Sequence, residues 1–259
     1  MNHQSSPTRR TVAVIYAGDS GDRPGPADNA GPADSASQPG PADQAGPADP
    51  AEPPDLLAPL GGRAIVAHSL AAFAAAPGVD EVLMIAGPAL AGWTYEPAPR
   101  IVAAAGSRAR SIASVLEALT AEHGTDCDVL IHDADRPLIG PHVIGDCLAA
   151  LAGSEAVCAA VPASDTMVAV ENDVITGRPA RDRLRRRQYP QGFRLPVISR
   201  GYQLALADPA FRQADDCAVV LRYLPEIPVR LVPGSEQGFR IASRADLGIA
   251  EALLQTRLP

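Results

Sequence analysis

The run His132-Asp133-Ala134-Asp135-Arg136-Pro137 sets two carboxylates beside a guanidinium. Asp133 offers the hard oxygens that a divalent cation takes, and Arg136 offers the forked donors that bind an anion. Together they suit a nucleoside triphosphate. The same residues also allow a plainer arrangement, in which Asp133 caps the next helix and Arg136 pairs with it on the surface. A second candidate is Ala17-Gly18-Asp19-Ser20-Gly21-Asp22-Arg23. A glycine-containing turn presents backbone N–H groups to phosphates, and Arg23 adds a positive charge. Glycine at the end of a strand also serves simply to close a tight turn.

Both segments follow apolar runs. Residues 128–131 read as a buried parallel strand, and the carboxyl end of such a strand is where open α/β sheets bind ligands. Residues 11–16 read as the first strand. Further strands are predicted at 80–86, 101–104, 157–161, 229–232 and 239–242. Helices are predicted at 64–76, 108–122, 141–151, 196–207 and 214–224. Ser243 followed by Asp246 marks the start of a last helix ending near Thr256. This alternation predicts an α/β fold, Rossmann-like, with a mostly parallel sheet and helices on both faces.

Two segments stand apart. Residues 24–54 repeat Gly-Pro-Ala-Asp from Gly25, Gly31, Gly40 and Gly46. Proline removes backbone donors and glycine adds chain entropy, so this stretch is expected to be a disordered insertion. Residues 164–187 are polar and carry Arg178, Arg181, Arg183, Arg185, Arg186 and Arg187. They are expected to form a projecting β-arm, although an arginine run also fits a solvated face. Residues 1–10 are expected to be a disordered N-terminus, and residues 11–259 one domain.

Composition narrows the function. The 259 residues are 46% hydrophobic and 4% aromatic, with a net charge of −8. Few aromatics argue against stacking on single-stranded nucleic acid, and the acidic balance argues against nucleic acid or anionic membranes as partners. No apolar run is long enough to span a bilayer, and the N-terminus lacks an apolar signal core. A cytoplasmic location is expected. Cys127, Cys147, Cys158 and Cys217 form no C-x-x-C pair and are expected to be reduced and buried.

Tyr16 to Arg23, Pro59-Leu60-Gly61-Gly62-Arg63, Arg108 with Ser111, His132 to Pro137, Asp165-Thr166, Pro190-Gln191-Gly192-Phe193, Asp215-Asp216 and Val232-Pro233-Gly234 follow one another in order. This ordered set resembles the cytidylyltransferases that make CDP-methylerythritol or CDP-ribitol, over nearly the whole chain. The resemblance implies a nucleotide-diphospho-sugar transferase-like fold and a homodimer joined through the β-arm. It also implies Mg²⁺ and CTP as cofactor and substrate. A polyol phosphate oxygen would attack the α-phosphate and release pyrophosphate, which requires positive charge around the transition state.

By position, the resemblance assigns Ala17, Gly18, Gly21 and Arg23 to the nucleotide loop, with Arg23 acting at the transition state. Arg108 and Ser111 match the segment that contacts cytosine and triphosphate, which favours cytosine over another base. Asp133 matches the metal-binding and nucleotide-binding aspartate, with Arg136 beside it. Thr166 and Arg181 match arm residues that meet the polyol phosphate, and Arg240 matches a lysine that orients the same phosphate. Plainer roles remain open: Ser111 on a helix surface, Arg108 in a first helical turn, Thr166 in a strand, Arg181 as one arginine of a run.

The chain departs from the family pattern at Asp19 and Asp22, and at Asp55, which stands where the family has a lysine. It contains no lysine at all. The length of the 16–23 loop and residues 174–202 lean toward the ribitol branch over the methylerythritol branch. A second reading is a catalytically impaired homologue with a binding or regulatory role.

Overall fold

A computed structural model describes residues 9–18, 55–212 and 215–256. The first strand, β1 (Arg10–Ala17), is buried on both faces beyond its first residue. Two short strands follow, β2 (Pro59–Leu60) and β3 (Arg63–Ala64), paired as a small hairpin at Gly61-Gly62. Both glycines have positive φ, +57° and +80°, where a side chain would be strained. Next come α1 (Ile65–Ala74), β4 (Glu81–Ala86), β5 (Arg100–Ala103), α2 (Arg108–His123), β6 (Cys127–Asp133), α3 (Pro141–Leu151) and β7 (Ala156–Pro162). A small hairpin, β8 (Ala169–Glu171) and β9 (Val174–Gly177), precedes β10 (Arg185–Arg194). The chain continues through α4 (Leu195–Ala207), α5 (Asp216–Tyr223), β11 (Val229–Pro233) and α6 (Arg244–Thr256).

The main sheet has seven strands in the order β11-β7-β10-β6-β1-β4-β5. All run parallel except β10, which lies antiparallel between β6 and β7. The sheet is therefore mostly parallel, as the strand and helix alternation predicts. Side chains alternate along β1. Val12, Val14 and Tyr16 join a core layer with α2, α4 and α5, while Ala13, Ile15 and Ala17 join a layer with α1, α3 and α6. Each fully buried Leu, Ile or Val contributes about 1.5–3 kcal/mol relative to an exposed one. All four cysteines are free and buried within these layers.

From β1 the chain adds β4 and β5 on one side, then returns to place β6 on the other side of β1. Such a reversal opens a crevice at the carboxyl ends of the neighbouring strands. Gly18 and Asp133 lie at that edge.

Two expectations change. The strand expected at residues 239–242 is absent. That stretch is irregular and is tied to the sheet by the Ile241 amide donating to the Asp135 carbonyl at 2.9 Å. The arginine run does not stay outside the sheet. Arg185, Arg186 and Arg187 pair with Pro162, Val161 and Ala160, so the last three arginines of the run open β10, with Arg185 and Arg186 still exposed and the strand buried from Gln188 on. The expected insertion at 24–54 and residues 1–8 of the N-terminal segment expected at 1–10 lie outside the described residues, while Arg10 already belongs to β1.

Candidate active site

Asp133 is the last residue of β6, and its carboxylate is 18% exposed. Two arginines approach it from different elements. Arg108 Nη2 lies 3.4 Å from Oδ1 and Arg136 Nε lies 3.8 Å from Oδ2. Both separations exceed the roughly 2.7–2.9 Å of a tight charge-assisted hydrogen bond. The carboxylate therefore has cations nearby without being closed off by them.

Arg136 is placed from both sides. Its Nη1 donates to the Gly238 carbonyl at 3.1 Å, and its guanidinium lies 5.3 Å from the centre of the Tyr189 ring. Gly238 belongs to the turn after β11, so the Arg136 contact ties that turn to β6. In the same region Arg240 Nε donates to Asp135 Oδ2 at 2.8 Å. Asp133, Arg136 and Arg240 thus come together at one edge of the sheet.

His132 precedes this group and faces inward. Its Nε2 meets the Arg136 carbonyl at 3.2 Å, and its ring packs 4.9 Å from that of Phe73. Burial pushes its pKa down to about 3, against the hydrogen bond to the Arg136 carbonyl, which makes it a neutral packing residue.

Ala17 and Gly18 close β1. A Cβ on Gly18 would stand 2.2 Å from the Tyr16 hydroxyl oxygen, so the chain turns against that ring with room only for glycine. Gly21 and Arg23, expected in the same loop, lie outside the described residues.

Arg108 and Ser111, which the resemblance assigns to cytosine and triphosphate, are both buried here. Arg108 is 1% exposed, under the Tyr16 ring at 4.8 Å from its centre. Its Nη2 donates to Asp216 Oδ2 at 2.7 Å and to the Tyr189 hydroxyl at 3.0 Å. Burial disfavours the charge, yet Asp216, Tyr189, Asp133 and Tyr202 hold its pKa above the ordinary guanidinium value. The Ser111 hydroxyl donates to the Ser107 carbonyl at 2.8 Å and accepts from the Ala105 amide at 2.8 Å. Ser111 therefore shapes the loop that enters α2, around Gly106 at φ +82°.

Thr166 and Arg181 sit away from this group. Thr166 is exposed after β7, and Arg181 Nε donates to the Ala163 carbonyl at 2.9 Å. Both lie beyond β10 from Asp133. Asp55 is exposed, and its side chain accepts from the Leu57 amide at 2.9 Å as a local turn.

Several residues that hold the site carry no obvious sequence motif. Gln188 is 3% exposed and bonds both backbone groups of Ser235, setting the turn that receives Arg136. Tyr202 donates to Asp216 Oδ1 at 2.7 Å. A signal existed in composition: the chain has five tyrosines, and Tyr16, Tyr189 and Tyr202 all gather around Arg108 and its partner.

The donor set bears on a metal. Among the described residues no group of three or more His, Cys, Asp or Glu is arranged to hold one. Asp133 alone fits Mg²⁺, which commonly takes one or two carboxylates and draws its remaining ligands from water and substrate phosphates. No helix among the described residues is long and apolar enough to cross a membrane.

Comparison with known proteins agrees with this architecture. A profile of the family described as "IspD: 2-C-methyl-D-erythritol 4-phosphate cytidylyltransferase" matches residues 41–256. The chain is 44% identical over 216 residues to the 2-C-methyl-D-erythritol 4-phosphate cytidylyltransferase of Thermobifida fusca, covering 78% of this chain and 86% of that protein. It is 31% identical over 214 residues to the bifunctional ribulose 5-phosphate reductase/CDP-ribitol pyrophosphorylase of Haemophilus influenzae, covering 79% of this chain and 45% of that one. The crystal structure of the 2-C-methyl-D-erythritol 4-phosphate cytidylyltransferase from Thermus thermophilus matches with a TM-score of 0.65 at 28% identity, over 77% of this chain and 93% of that one. The 4-diphosphocytidyl-2C-methyl-D-erythritol synthase structure from Anaerococcus prevotii shares the fold, with a TM-score of 0.74 at 22% identity over 96% of this chain and 99% of that one.

Proposed function

The chain belongs to the 2-C-methyl-D-erythritol 4-phosphate cytidylyltransferase (IspD) family, and from that premise we infer how it works. It transfers CMP from CTP to a polyol phosphate and releases pyrophosphate. The observation that carries the reading is the meeting of Asp133, Arg136 and Arg240 at the reversal point of the sheet. Our reading of the polyol is 2-C-methyl-D-erythritol 4-phosphate. The family profile and the 44% relative favour it over ribitol 5-phosphate, toward which the residues 174–202 lean.

The α-phosphate is attacked by a phosphate oxygen of the polyol, in line with the departing pyrophosphate. Arg136 carries positive charge to the triphosphate side of the site. Arg240, steadied by Asp135, is set to orient the polyol phosphate. Asp133 would hold Mg²⁺, which would neutralise phosphate charge when bound. Gly18 lets backbone N–H groups approach the phosphates, and Arg23 would complete the positive field. Thr166 and Arg181 would reach polyol phosphate across a homodimer, from the arm of the neighbouring subunit. The exposed Met167, Val168, Val170, Val174 and Ile175 around the β8–β9 hairpin give that arm an apolar surface to bury.

The impaired reading finds no support here. Asp55, where the family has a lysine, bonds its own turn. Pyrophosphate release with Mg²⁺, CTP and each polyol phosphate offered in parallel tests the proposal. Release with 2-C-methyl-D-erythritol 4-phosphate alone supports it. Release only with ribitol 5-phosphate reassigns the substrate, and none with either overturns the activity.

A further inference from the structure

Arg108 is the largest fully buried side chain among the described residues, and its Nη2 faces three acceptors. Asp216 Oδ2 stands at 2.7 Å, the Tyr189 hydroxyl at 3.0 Å and Asp133 Oδ1 at 3.4 Å. The shortest contact goes to the carboxylate that is itself 0% exposed. Asp216 is held in turn by the Tyr202 hydroxyl on its other oxygen, at 2.7 Å. Tyr202 lies on α4, Asp216 opens α5, Arg108 opens α2 and Asp133 ends β6. One continuous chain of polar contacts therefore runs from the far side of the core layer to the candidate cation ligand.

Charge decides what this chain does. A buried guanidinium needs a counter-charge, and an unpaired one is strongly unfavourable. Among the described residues two carboxylates, Asp216 and Asp133, are within its reach. If Asp216 were absent, Asp133 would be the one left among the described residues. The Arg108 group would close the gap from 3.4 Å and neutralise Asp133. With Asp216 in place, the buried pair is neutral as a unit. Asp133 then keeps its charge for the open side of the site.

We propose that Asp216, fixed by Tyr202, is a positioning residue that occupies Arg108 and so leaves the Asp133 carboxylate available to a divalent cation. This rests on the reading of Asp133 as the cation ligand. Residues that support a metal ligand from behind typically change metal affinity by about 10- to 100-fold when altered.

The test uses the full chain with Mn²⁺ as a spectroscopic stand-in, its binding followed by electron paramagnetic resonance with CTP present. Asp133→Ala should abolish CTP-dependent Mn²⁺ binding. Asp216→Asn, which keeps shape and removes charge, should weaken it about tenfold or more. Tyr202→Phe should weaken it by less, and it removes no charge, so it serves if Asp216→Asn fails to fold. The double change Asp216→Asn with Arg108→Met should regain much of the lost affinity, because no free guanidinium then competes for Asp133. Simple loss of packing gives no such recovery. Wild-type affinity in both Asp216→Asn and Tyr202→Phe overturns the inference while the cation reading stands. Wild-type protein that binds Mn²⁺ no better with CTP than without overturns both.

Discussion

The Gln188 carboxamide donates to the Ser235 carbonyl at 2.8 Å and accepts from the Ser235 amide at 3.0 Å. One side chain thus makes both bonds that a paired strand would make, and it does so where the backbone leaves β11 and turns toward α6. The turn fits closely around it: a Cβ on Gly234 would stand 2.2 Å from Gln188 Oε1. Gln188→Ala leaves both Ser235 groups without this partner. It is expected to cost about 1–3 kcal/mol of stability. Because the same turn presents Gly238 to Arg136, the variant should also raise KM for CTP. Urea unfolding and steady-state kinetics measure the two effects, and an unchanged KM would separate the turn from the nucleotide site.

Gly18→Ala should lower stability by about 1–3 kcal/mol, because the new methyl overlaps a buried ring. Its Cβ would lie 2.2 Å from the Tyr16 hydroxyl oxygen and 2.4 Å from the ring carbon Cζ. Removing the hydroxyl alone does not clear that space. Thermal unfolding of Gly18→Ala combined with Tyr16→Phe should therefore show little rescue, and full recovery would mean that only the hydroxyl is in the way.

His132 should make the protein acid-sensitive. Its pKa falls from 6.5 to about 3 on burial. Above about pH 6.5 the ring is neutral in both folded and unfolded chains and adds no pH dependence. Below it the unfolded chain binds a proton that the folded chain does not. Stability is lost as pH falls toward about 3, by at most about 1.4 kcal/mol per pH unit. Urea midpoints measured from pH 7 to 4 should fall less steeply for His132→Gln than for wild type. Parallel slopes would remove His132 as a source of acid sensitivity.

Deleting residues 24–53 should leave the melting temperature within a few degrees of wild type. That stretch contains no Leu, Ile, Val, Met or aromatic residue, so it brings almost nothing to bury. Differential scanning calorimetry of the shortened chain checks this, and a drop of ten degrees or more would show that the segment packs on the domain.

Much of the fold was legible because the apolar runs are long and their boundaries sharp. Residues 141–151 were expected as a helix and form α3 with Pro141 in its first turn. Strand β10 was not legible. Its first half reads as a charged run and its middle contains Pro190, both signs against a central strand. The register shifts between Arg187 and Gln191, and that irregularity accommodates the proline. In the site, Asp133, Arg136 and Arg240 could be found from motif and resemblance, and they do meet. The burial of Arg108 was hidden because its counter-charge lies 108 residues away, at Asp216. Gln188 was hidden for a related reason: its role is a bond to backbone, which leaves no trace in the type of its partner.

The four buried thiols divide between the two sides of the sheet. Cys127, Cys158 and Cys217 lie with α2, α4 and α5, and Cys147 lies with α1, α3 and α6. Burial pushes the Cys127 thiol up to about 11 and Cys147 up to about 12, so neither reacts while the chain is closed. The enzyme consequently carries its own clock for opening. A thiol reagent can modify each layer only as fast as that layer exposes its sulfur, and the order in which the four sites are labelled records which half of the molecule parts from the sheet first.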